Sequence, residues 1–360
     1  MSLPRRVLPG LTYLVTRRTT RRFFLLRPDA DACLSNAYWY VTAVLAEELG
    51  IELHATQMLS THMHEVLTDT RGVLPRFLQK RNRVLAEFIK LHRGWPEEVF
   101  ARGSPNCVQL YGSAAMLRKI GYTIANCVEA GLVSRPAMWP GVSAVVGERR
   151  RVIRVRRPSL YFDVERRRWP EFAEIELVMP RILEQQLGER APGVVRSAVR
   201  AAVIAARRRV RARGGRFAAP VSLTRISHET RATSDDGVSS RAPHFATDGM
   251  QQLRALAVAE RRHFLTQYRL ALSRAQRGRR PTFPEGTWRL HTDYGFRRKT
   301  PGGKPERGKP ERRSSLAALA AWRARPAVAR MGVTRTSGAE TRARGSTLGR
   351  GGARRTRGPP

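Results

Sequence analysis

The chain has 360 residues, with 67 Lys or Arg against 29 Asp or Glu and a formal net charge of +38; its isoelectric point is near 11.7. An excess of that size excludes an ordinary enzyme of small neutral substrates and implies a polyanionic partner. Residues 1–22 alternate Arg with short apolar runs and form no secretory leader, and no long apolar span or lipidation signal follows. A cytoplasmic protein without membrane attachment is therefore expected.

From residue 11 to about 145, apolar runs of strand and helix length alternate with turn signals, which predicts a folded domain containing both α and β structure. Leu11, Tyr13 and Val15 alternate with Thr12, Leu14 and Thr16 as in a strand. Asp29 and Asp31 precede a run at helical spacing over 32–49, and Gly50 stops it. Residues 51–59 and 62–68 read as a hairpin turning at Ser60-Thr61, with a further turn over 69–72. Residues 74–91 carry Leu74, Phe77, Leu78, Leu85, Phe88 and Ile89 among Arg and Lys, which predicts an amphipathic helix with a basic outer face. A short strand is expected over 108–111 and a helix over 113–130, ended by Gly131.

Beyond Trp139-Pro140 the character changes. Residues 149–157 are a basic run, 175–187 read as helical and 194–213 as a strongly basic helix, together a basic helical extension over 146–223. Residues 224–249 are polar and read as a linker. Within 250–297 a helix is expected over 251–276 and a short strand within 284–296. Arg, Gly, Pro, Ser and Thr dominate 298–360, which predicts a basic disordered tail. Cys33, Cys107 and Cys127 show no C-x-x-C spacing, so neither a disulfide framework nor a zinc knot is implied.

His62-Met63-His64 stands at the head of a predicted strand, where residues i and i+2 share a face, so both imidazoles can reach one ion. Two histidines leave coordination positions open to water or phosphate oxygens, as in catalytic rather than structural sites. Tyr122 and Asn126 lie four residues apart on a predicted helix and also share a face. A phenol attacks a phosphodiester when a cation makes the phosphate electrophilic, and His62, His64 and Asn126 could supply three ligands for it. Candidate phosphate contacts are Arg17, Arg18, Arg21 and Arg22 after the first strand, Arg76, Lys80, Arg81 and Arg83 on one helix, and Arg118 and Lys119 beside Tyr122. Walker A spacing is absent, so no nucleotide cofactor is expected.

These residues resemble the single-tyrosine HUH transposases of bacterial insertion sequences, closest to the REP-associated tyrosine transposase branch. Pro9-Gly10 leading into 11–17, followed by Thr19 to Arg22, is similar to the family's opening strand and Arg-bearing turn. Leu59-Ser60-Thr61-His62-Met63-His64 resembles its M-x-N-H-x-H motif. The run from Tyr122 to Val133 is similar to Y-I-x-x-N-P-V-x-A-G-L-V, and Arg135-Pro136 with Trp139-Pro140 to the R-P-x-x-W-P that follows. The likeness covers roughly residues 5–145, with a weaker echo at 283–296. Departures are Thr61 for Asn, Glu65 where an apolar residue is common, and Cys127 for Pro.

The resemblance implies an α+β fold of HUH nuclease type over 5–145, an antiparallel, ferredoxin-like sheet flanked by helices. It implies that His62, His64 and Asn126 hold Mg or Mn, and that Tyr122 forms a 5′-phosphotyrosine link with single-stranded or hairpin DNA. Relatives often act as homodimers. The alternative is a non-catalytic nucleic-acid-binding protein, in which His62, His64 and Tyr122 are dispensable. A zinc hydrolase would need a further ligand, for which His54 and His92 are the candidates.

Overall fold

The computed structural model describes residues 4–147, 152–162, 169–233, 243–300 and 302–308. The alternating segment forms β1 (Leu11–Arg18). It leads to α1 (Cys33–Leu49), which ends at Gly50 with φ +66°. The hairpin β2 (Ile51–Met58) and β3 (His62–Asp69) follows. After it come α2 (Leu74–Arg93), β4 (Asn106–Leu110), α3 (Gly112–Glu129) and β5 (Ser143–Val145).

The rest of the chain supplies β6 (Val152–Arg156), β7 (Phe172–Glu176), α4 (Arg181–Leu187) and α5 (Ala191–Ala212). They are followed by α6 (Pro220–Arg225), β8 (Phe245–Ala246) and α7 (Gln251–Gln276). Last are β9 (Thr282–Phe283), α8 (Arg289–Thr292), β10 (Arg297–Lys299) and β11 (Pro305–Arg307). No described helix is long and apolar enough to cross a membrane.

The fold is mixed α+β. Its central sheet has six strands in the order β5-β2-β3-β1-β4-β8, antiparallel throughout except where β8 joins β4. Period-2 alternation sorts the side chains onto two faces. Tyr13, Val15, Met63 and Leu67 pack against α1 and α2. Leu14, Ala55, Val66 and Val108 pack against Met116, Ile120 and Ile124 of α3 and Val195 of α5. A bulge between Leu53 and Ala55 adjusts β2, and His54 in it is held by Val178 O and Thr68 Oγ1, both at 2.7 Å.

The α1/α2 face encloses an ionic network. Arg81 donates to both carboxylate oxygens of Glu65, at 2.5 and 2.7 Å, and Tyr38 Oη donates to Glu65 Oε1 at 2.6 Å. Glu65, Arg81 and Tyr38 are all fully buried. Two full charges are tolerated there only because each satisfies the other. Arg81, read above as a DNA contact, is thereby excluded from the surface, since none of its area is exposed.

Several expectations need correction. The start of the predicted 175–187 helix is β7, whose Phe-Ala-Glu-Ile-Glu alternates at period two and pairs with β6. The extension over 146–223 is part of the core: α5 lies so close to α3 that a Cβ at Gly121 would come within 3.0 Å of Ala198 O. The 224–249 stretch is anchored at both ends, by Thr230 O accepting from Phe24 N at 2.9 Å and by β8 on the sheet edge. Where a strand was expected at 284–296 the chain forms α8, flanked by β9 and β10. The predicted tail begins with ordered strands β10 and β11; its remainder from 309 lies outside the described residues.

Candidate active site

Strand alternation places His62 and His64 on the α3 face, while Met63 and Glu65 enter the opposite core. Across the sheet, His64 stands opposite Thr16 of β1 on one side and Gln57 of β2 on the other. Thr16 Oγ1 is 2.8 Å from His64 Nδ1, and Thr61 Oγ1 is 2.9 Å from His62 Nδ1. A threonine hydroxyl thus engages the Nδ1 of each ring and leaves each Nε2 directed toward α3. The two rings meet edge to face with centroids 4.8 Å apart.

Helix α3 brings its two candidates over this pair. His62 Nε2 lies 3.1 Å from Asn126 Oδ1, and Tyr122 Oη lies 3.5 Å from His64 Nε2. Exposure rises from His64 at 5% and Asn126 at 9% to Tyr122 at 40%, so the phenol stands at the open rim of a closed base. Lys119, one helical turn before Tyr122, sets its Nζ 5.4 Å from the phenol ring centroid.

The electrostatics favour neutral imidazole at the base. Burial holds His64 well below its ordinary pKa, and neighbouring His62, Arg18 and Lys119 push the same way. Neutral imidazole is the form that binds a metal, and a second partner on the other ring nitrogen fixes its orientation. Two imidazole nitrogens and one amide oxygen fit a divalent cation with open positions, and the hydroxyls on Nδ1 are the outer partners such a site requires. Among the described residues no group of three or more His, Cys, Asp and Glu forms an alternative metal cluster. His54 sits in the β2 bulge, and His92 bonds Asp29 at 2.8 Å, so neither joins this site.

The basic candidates divide by face. Arg18 pairs opposite His62, whereas Arg21 is ion-paired with Glu97 at 3.8 Å and Arg22 O accepts from Ala232 N at 3.2 Å. Arg118 is ion-paired with Asp248. Arg17 alternates to the other face, where it donates to Gly103 O at 2.7 Å and covers the Phe100 ring. Arg76 and Lys80 belong to α2, also on that other face, and Lys80 is paired with Glu48 at 2.6 Å.

The sequence left Thr16 and Gln57 out of the site. Both neighbour His64 only through strand register, which local pattern does not specify. Thr61 was visible, but only as a departure from a motif.

No protein-family model matches the chain, and no curated protein matches it. Among solved structures the chain is similar to a REP-associated tyrosine transposase bound to a REP hairpin. The identity is 18%, the TM-score 0.33, and the match covers 39% of this chain and 81% of that one. The likeness is a distant one.

Proposed function

We propose that the protein is a DNA strand transferase of the transposase type, which cleaves and rejoins single-stranded or hairpin DNA through Tyr122. The observation that carries this reading is the convergence of His62 Nε2, His64 Nε2 and Asn126 Oδ1 beneath an exposed phenol. The net charge of +38 suits a polyanionic substrate, and the motifs of 59–64 and 122–133 supply the family expectation.

In the reaction Tyr122 gives up its phenol proton and Oη bonds to phosphorus. The bond from phosphorus to the 3′ oxygen breaks, and that oxygen leaves as a hydroxyl. The product is a 5′-phosphotyrosine link that conserves the phosphodiester, and attack by a second 3′ hydroxyl reverses the step and rejoins the strand. His62, His64 and Asn126 would hold Mg or Mn, which when bound supplies Lewis-acid activation of the phosphate. Lys119 and Arg18 flank the phenol and the imidazoles, where they neutralise phosphate charge.

The test is a denaturing gel with labelled single-stranded hairpins from a randomised library and Mn. Wild type gives a covalent protein-DNA band that Tyr122→Phe does not give. DNA binding by both proteins with no band from either would replace the enzyme with a nucleic-acid-binding module.

A further inference from the structure

Gln57 makes a tie between the sheet and the last turn of α3. It is fully buried, and it stands directly opposite His64 in the β2–β3 register, on the same face. Its Oε1 accepts the main-chain N–H of Cys127 at 3.0 Å, and its Nε2 donates to Ser143 Oγ at 3.3 Å. The first bond assigns which end of the amide faces the helix, since a main-chain N–H can only donate, whereas the Ser143 hydroxyl could serve either end.

Cys127 lies inside α3, where a main-chain N–H ordinarily has the carbonyl four residues earlier as its acceptor. A buried acceptor brought from a neighbouring strand fixes the helix sideways, which helix formation alone does not require. The peptide unit it grips joins Asn126 to Cys127, and Tyr122 is one turn earlier on the same helix. The site is thus linked at both ends: Gln57 neighbours His64 through the sheet and neighbours Asn126 through this bond. Proline, which the resembling motif carries at 127, has no N–H to offer.

We propose that Gln57 is a positioning residue that holds α3 in the register where Asn126 meets His62 and Tyr122 meets His64. The inference rests on the proposed metal-and-tyrosine site.

The experiment is a double-mutant cycle on the full chain: wild type, Gln57→Leu, Cys127→Pro and the double variant. Two quantities are read, Mn affinity by calorimetry without DNA, and kcat and KM for adduct formation on a hairpin. Gln57→Leu weakens Mn binding and lowers kcat, each by about 10–100-fold, the range typical of lost outer partners; KM for DNA stays unchanged. In the Cys127→Pro background, where no N–H awaits an acceptor, Gln57→Leu is neutral within about threefold or beneficial. Gln57→Met replaces the leucine variant if that one fails to fold. Unchanged Mn affinity and kcat in Gln57→Leu, or the same loss in both backgrounds, overturns the inference while leaving the site intact. Wild type that binds no Mn and forms no adduct sinks the site reading itself, a distinguishable result.

Discussion

Strand β3 serves two chemistries that differ only in which way its residues point. On one face Glu65 meets Arg81 in full burial, and both charges are consumed by each other. On the other, one residue away, His64 is held toward its neutral form by burial, bonded to a threonine and directed at a phenol that solvent can reach. The first arrangement is held by two Arg81–Glu65 hydrogen bonds and the Tyr38 hydroxyl, all turned inward. The second gathers two imidazole nitrogens, an amide oxygen and a phenol at one opening. A charged group is thus a poor guide to the functional face of this sheet.

The largest effect expected from that difference is on chemistry. His62→Ala removes a donor from the open face: adduct formation falls by about 100-fold or more, as does wild type treated with a chelator. Folding stability, read by urea unfolding, stays within about 0.5 kcal/mol because His62 is only partly buried. Arg81→Met is the reverse. Leaving Glu65 buried and unpaired costs about 3–5 kcal/mol of unfolding free energy, and adding Glu65→Leu recovers most of it. Equal stability losses for the two single variants would erase the distinction between the faces.

A smaller contrast concerns the basic residues. Lys119→Ala lowers the salt slope of single-strand binding by about 0.7, one phosphate contact, whereas Lys80→Ala, on the far face and paired with Glu48, leaves it unchanged. The smallest effect is electrostatic and lies where Asp29, ahead of α1, meets the end of α2. Burial pushes the Asp29 carboxyl up, but the His92 hydrogen bond and the Arg93 guanidinium hold it down at about 2. An unfolded Asp titrates near about 3.9, so this stability is complete above that pH and is lost as pH falls toward 2. Denaturation midpoints at neutral and acid pH should therefore converge in Asp29→Asn relative to wild type.

Much of the fold was legible because its signals are local. Helix α7 has the bounds 251–276 that its spacing predicts, and the β2–β3 hairpin turns at Ser60-Thr61. The shared face of His62 and His64, and that of Tyr122 and Asn126, follows from strand and helix periods alone. That the two pairs meet was supplied by the family resemblance, since no period specifies how α3 lies on β3. Arg81 was misread although its spacing was visible: it falls in the stripe of Leu74, Phe77, Leu78, Leu85 and Phe88, and a charge there signals a buried partner. Thr16 and Gln57 needed register, and β8 needed a pairing distant in sequence, neither of which a local window contains.

The late arrival of β8 has a consequence for synthesis. Every candidate catalytic group is encoded before residue 127, whereas α5, which packs on α3, follows at 191–212. The free edge of β4 must wait for Phe245 and Ala246, well over a hundred residues further on. At about 5–20 residues per second that delay is on the order of ten seconds. During that interval the nascent sheet carries an open, hydrogen-bonding edge beside a strongly basic surface, and neighbouring chains on the same message are its first available partners.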